Sequence, residues 1–100
     1  MNISIESQNK KNIISVSGRI DTLTAGELEE TVLPLISETH PSIQLNCESV
    51  DYISSSGLRV FILADKKSQQ FNGTVTIVGL SEFLKEIFDV SGLTNLFKFV

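Results

Sequence analysis

The feature that most constrains this chain is a change of period. Ile3 and Ile5 alternate with Ser4 and Glu6, and residues 12–17 repeat the pattern with Ile14 and Val16. Period-two alternation predicts strands with one buried face. Between them the polar link QNKK (8–11) reads as a hairpin loop, so the sheet should open with an antiparallel pair.

After Gly18 and Asp21 the apolar spacing turns helical. Leu28, Val32, Leu35 and Ile36 recur at that spacing, and Thr24 with Glu27 three residues on has the form of a capping box. Pro34 should kink or break this helix, and His40-Pro41 should end it. Ile43, Leu45 and Cys47 alternate as a third strand. Leu58 to Ala64 is apolar on almost every side except Arg59, as in a helix packed closely on a sheet. Val75 and Ile77 mark a fourth strand after the turn at Asn72-Gly73. Ser81 caps a helix carrying Phe83, Leu84, Ile87 and Phe88, which Gly92 stops. Phe97 and Phe99 form a short last strand.

The predicted order is β-β-α-β-α-β-α-β. Strand–helix–strand units imply parallel pairing with right-handed crossovers. The expectation is an α/β fold, a mixed β-sheet with helices packed on it, in one domain over residues 1–100 without linker or repeat.

Charge and composition narrow the function classes. A net charge of −4, with eight basic residues scattered along the chain, opposes nucleic-acid binding, which needs a clustered positive field. The same acidity disfavours anionic membranes. The start MNISIESQNKK lacks the look of a signal peptide, and LRVFILA, the longest apolar run, falls far short of the ~20 residues of a membrane span. A single cysteine forms no internal disulfide framework. A cytoplasmic protein is expected.

Enzyme chemistry lacks its parts. A serine hydrolase needs a base beside its nucleophile, and the one histidine, His40, sits next to a proline in an expected surface loop. No G-x-S-x-G, no phosphate-cradling glycine loop and no metal-ligand spacing occurs, so no cofactor or metal is expected. Cys47 falls on the buried phase of its strand.

What remains is Ser54-Ser55-Ser56-Gly57, at the joint between the third strand and the middle helix. Binding surfaces of open α/β sheets form beyond the carboxyl ends of the strands, where this joint falls. One serine suffices as an N-cap; three exceed that need, and at least one should stay exposed. Unpaired N–H donors and the helix dipole make such a position a good seat for a phosphate.

These segments resemble the STAS domain of anti-sigma factor antagonists, bacterial proteins that release a sigma factor by capturing its inhibitory anti-sigma kinase. GRID (18–21) is similar to the family's turn after the second strand, VDYISSSGLRVFI to its phosphoacceptor segment, and LKEIFDVSGLTNLFKF to its last helix and strand. The resemblance implies that the acceptor is the serine two residues before the glycine, Ser55, with Ser54 and Ser56 as alternatives. It also implies phosphorylation by an anti-sigma factor serine kinase, reversal by a serine phosphatase, and tight binding by the unmodified form only. The partner surface would take in Asp21, Ser54, Ser55, Ser56 and Gly57; Arg59, on the middle helix, is added as the first candidate for specificity because arginine is favoured at interface centres.

The chain departs from the family in having Ser54 where aspartate usually precedes the acceptor. It also stops at Val100 where the family commonly adds a helix, which should leave part of one sheet face less covered. Asp21 reads first as a turn residue or auxiliary helix cap and second as a partner contact, and Arg59 reads equally as a solvated charge. The expected state is a monomer or weak dimer. An alternative role is an accessory STAS subunit of another regulatory or lipid-transport complex, without phosphoswitching; a small ligand-binding α/β domain is a third.

Overall fold

The structure, a computed structural model, describes residues 1–100. The opening hairpin forms from β1 (Asn2–Gln8) and β2 (Lys11–Ile20). Gln8 pairs with Lys11, so the turn is only Asn9-Lys10, with Lys10 at φ +64, tighter than the four-residue loop expected. The outer two residues of QNKK extend the strands because the ladder continues through them.

β3 (Ser42–Ile53), β4 (Val75–Val78) and β5 (Lys98–Phe99) add in parallel, giving the order β1-β2-β3-β4-β5. Every crossover after β2 steps the same way across the sheet. Right-handed connections therefore place α1 (Ala25–Val32), α2 (Ser55–Gln70) and α3 (Glu82–Val90) on one face. Ile14, Val16, Ile43, Leu45, Cys47, Val75 and Ile77 are buried beneath them. Across that layer Phe61 of α2 meets Phe88 and Phe97 edge-on, with ring centroids 5.5 Å and 6.2 Å away.

The opposite face carries no helix. There Lys11 Nζ donates to Gln44 Oε1, Gln44 Nε2 to Asn46 Oδ1, and Asn46 Nδ2 to Ser15 Oγ. This face is polar.

Two boundaries and the inward face of one helix differ from expectation. α1 ends at Val32; Pro34 lies in a 3-10 turn (Leu33–Leu35), and the backbone is already extended at Ile36, well before His40. β3 runs on to Ile53, but its buried phase slips from Cys47 to Val50 to Ile53. Pairing with β2 shifts twice there, between Ser15 and Ser17 and again between Gly18 and Arg19. Gly18 adopts φ +96 at the second shift, a conformation other residues avoid. In α3, Leu84 and Phe88 face inward while Phe83 stays 69% exposed.

Candidate functional site

The site is built where β3 hands over to α2. Ser54 leaves the strand in an extended conformation (φ −82, ψ 172), and its N–H donates to Ile20 O at 2.7 Å. Its hydroxyl accepts from Gly57 N at 3.1 Å, completing the N-cap. Gly57 is buried: a Cβ there would lie 2.7 Å from Ile20 Cγ2 and 3.0 Å from Ile53 Cγ2. The missing side chain lets the helix start sit directly on the ends of β2 and β3. Gly57 therefore shapes this surface from behind.

That seating decides where the serines point. Ser54 is half-buried and committed to the cap, Ser56 is half-buried, and Ser55 is exposed.

The loop from β2 to α1 forms the neighbouring wall. Asp21 Oδ1 accepts from Leu23 N (2.9 Å) and Thr24 N (3.0 Å), while Thr24 Oγ1 donates to Arg19 O (2.8 Å) and accepts from Asp21 N (2.9 Å). The expected capping box does not form. Thr24 has no capping bond of its own because its backbone is already helical and its hydroxyl turns back to the strand. Asp21 takes that role.

The Thr24 N–H, the Thr24 hydroxyl, the Leu23 N–H and nearby Arg19 together hold the Asp21 carboxyl below its usual value, against partial desolvation. Its carboxylate serves the loop, which is thereby fixed beside the serines.

Several features of this corner escaped the sequence. Leu23 stands 90% exposed at the loop apex. The Arg19 guanidinium lies 4.2 Å above the Tyr52 ring, and Arg19 Nε is 3.8 Å from Asp21 Oδ2. One helical turn past Ser55, Arg59 reaches across to α1, with Nη1 3.2 Å from Glu29 Oε1. The available signal was an apolar residue between two threonines (Thr22-Leu23-Thr24) and an aromatic two positions before the serines.

No imidazole accompanies these hydroxyls. His40 sits before the opposite end of β3, bonded to the Ser7 and Thr39 hydroxyls. Burial pushes the Cys47 thiol up to about 12, so it stays protonated near neutrality. The larger surface hollows lie elsewhere, on the bare sheet face around Ser4, Ser15 and Asn46 and along α3. No helix is long and apolar enough to cross a membrane. At the serine corner only the Ser54 hydroxyl is hydrogen-bonded; those of Ser55 and Ser56 are uncommitted, and Ser55 is the exposed one, available for contact with a macromolecule.

Comparison with known proteins agrees in sequence and in fold. The STAS domain family matches residues 2–100. Over 98 residues the chain is 34% identical to the anti-sigma-B factor antagonist of Staphylococcus aureus, covering 96% of this chain and 91% of that protein. It is 33% identical, with the same coverage, to its namesake in Staphylococcus epidermidis.

Among solved structures, the anti-sigma factor antagonist SpoIIAA in its unphosphorylated form superimposes with a TM-score of 0.80 at 14% identity, over 99% of this chain and 87% of that one. The phosphorylated form of the Bacillus protein gives 0.78 at 17% identity, over 99% and 91%. A Thermotoga maritima protein described as a putative anti-sigma factor antagonist gives 0.88 at 16% identity, over 97% and 84%.

Proposed function

The chain belongs to the STAS domain family, and we propose from that premise that it is an anti-sigma factor antagonist whose binding is switched at Ser55. In the unmodified state the corner made by Asp21, Ser54, Ser55, Ser56 and Arg59, set by Gly57 beneath, docks on an anti-sigma factor that is also a serine kinase. The kinase transfers the γ-phosphoryl group of ATP to Ser55 Oγ: the new O–P bond replaces the bond to ADP, and the hydroxyl proton passes to a base of the kinase. A serine phosphatase hydrolyses the ester and restores the hydroxyl.

The observation that carries this reading is the division of labour among three adjacent serines. Ser54 is spent as the cap, and Ser55 is presented to solvent from a helix start fixed to the sheet. Serine at position 54 does locally what the family's aspartate would do there, since both residue types cap helices well. The Ser54 substitution therefore leaves the presentation of Ser55 intact.

The switch is electrostatic. A phosphate adds roughly −1.5 to −2 charges at neutral pH. An unpaired charge buried in an interface costs about 2–5 kcal/mol, equivalent to roughly tens to thousands of fold in affinity. No refolding is required.

Titration of the purified chain against its cognate anti-sigma kinase tests this. Ser55→Ala should bind within a few fold of the unaltered chain, and Ser55→Asp should bind at least tens of fold more weakly. Equal affinity of Ser55→Asp and the unaltered chain would refute the proposal.

A further inference from the structure

We infer that Arg59 is the internal seat of the phosphate: once Ser55 is phosphorylated, Arg59 leaves Glu29 and closes back onto it. This rests on Ser55 being the acceptor.

The geometry begins with spacing. Ser55 and Arg59 lie four residues apart within α2, so their Cβ atoms are about 5–6 Å apart on one helix face. Long helical side chains lean toward the N-terminus and cover the preceding turn. Arg59 therefore has Ser55 within its sweep, and both are exposed. An anion N-terminal to a cation at this spacing is also the favourable order.

In the unmodified chain Arg59 is held by one partner only, Glu29, at 3.2 Å, and the two side chains remain 67% and 36% exposed. Such exposed pairs contribute little. A phosphoserine offers more charge than the carboxylate and three acceptor oxygens, which the guanidinium engages through paired N–H donors.

The other charges of this corner do not compete. Arg19 belongs to β2 and lies over the Tyr52 ring rather than on α2, and the first turn of α2 contains no acidic residue. Asp51, exposed three residues before the cap, carries the same sign as the phosphate and donates nothing to it. Arg59 is the cation on Ser55's own face.

The exchange changes the docking surface twice. It draws Arg59 away from the partner, and it leaves the Glu29 carboxylate bare on α1. The net charge added is that of the phosphate alone, but part of it is re-expressed on α1, where Glu29 loses its cation while Arg59 shields the phosphate.

The test is a full-length chain carrying phosphoserine at position 55, introduced during synthesis so that no kinase is needed. Phosphorus NMR follows the second ionisation of the phosphate, and nitrogen NMR follows the Arg59 side chain. Arg59→Gln should raise that ionisation by roughly half a unit relative to unaltered Arg59, because a nearby cation favours the dianion. Glu29→Gln should lower it, since Arg59 then has no competing partner. Added salt should shrink both differences. Both positions are exposed, so circular dichroism should show an unchanged fold.

Superimposable titrations for the unaltered, Arg59→Gln and Glu29→Gln chains, with no movement of the Arg59 signal, overturn the inference. Because the phosphate is installed chemically, that outcome is separate from whether a kinase modifies Ser55, which the binding titration decides.

Discussion

Two helices of this chain begin alike and rest on different foundations. Ser54 caps α2 by accepting from Gly57 N at 3.1 Å, and Ser81 caps α3 by accepting from Leu84 N at 3.2 Å. In α3 the residue three past the cap is a leucine only 1% exposed, while Ser81, Glu82 and Phe83 around it are exposed. A large side chain anchors that turn, and Glu82 already meets the positive end of its dipole. In α2 the corresponding residue is glycine, and the anchor is the close approach of the backbone to Ile20 and Ile53. Its first turn holds no carboxylate. The same cap thus closes one helix and, at the other, holds a first turn free of carboxylates, on which an added anion is felt at once.

The comparison breaks most visibly if the anchors are removed. Leu84→Ala should lower unfolding free energy by about 2–5 kcal/mol through lost burial and the remaining cavity, while affinity for the anti-sigma kinase stays near that of the parent. Urea unfolding and a binding titration measure the two, and an affinity loss matching that of Ser55→Asp would assign α3 a direct share of the docking surface. Gly57→Ala should cost less, about 1–3 kcal/mol, from crowding against Ile20 and Ile53. It should nonetheless weaken kinase binding, because the α2 start is pushed off the strand ends. Unchanged affinity there would mean that the seating of α2 does not matter to the partner.

This contrast also marks what could be read from the residues alone. Element order was legible because period two at Ile14, Val16, Ile43 and Leu45 and helical spacing at Leu28 and Val32 are local signals. The end of β3 was hidden, since the register shifts opposite Ser15–Arg19 move the buried phase from Cys47 to Val50 and destroy the alternation. The capping box at Thr24 failed for a related reason. A capping hydroxyl must accept from a helix N–H, and only the fold shows that the Thr24 hydroxyl accepts from Asp21 N and donates to Arg19 O instead.

The serine corner itself stood out by elimination, as hydroxyls in excess of one cap. Its neighbours did not. Leu23 is apolar and would pass for core, Glu29 belongs to an acidic helix face, and the pairing of Glu29 with Arg59 joins positions 30 residues apart. Gly57 was visible as a glycine but not as a contact, because the need for it arises from two strands that meet only in the folded chain.

The smallest expected effect sharpens the comparison furthest. Ser54→Ala and Ser81→Ala each remove one cap bond, and such losses span roughly 0.5–2 kcal/mol. Around exposed Ser81, water can take over the N–H of Leu84, so Ser81→Ala should fall near ~0.5 kcal/mol. Ser54 is half-buried above a glycine packed on two isoleucines, where the freed Gly57 N–H has less access to water, and Ser54→Ala should lie toward ~2 kcal/mol. Ser54→Asp should retain the cap and the stability, since aspartate accepts the same N–H. Hydrogen exchange at the Gly57 and Leu84 amides, read beside urea unfolding of the three variants, separates the cases. Equal losses at the two serines would show that α2 gains nothing from its seat on the sheet, and the rigidity claimed for the Ser55 corner would have no physical source.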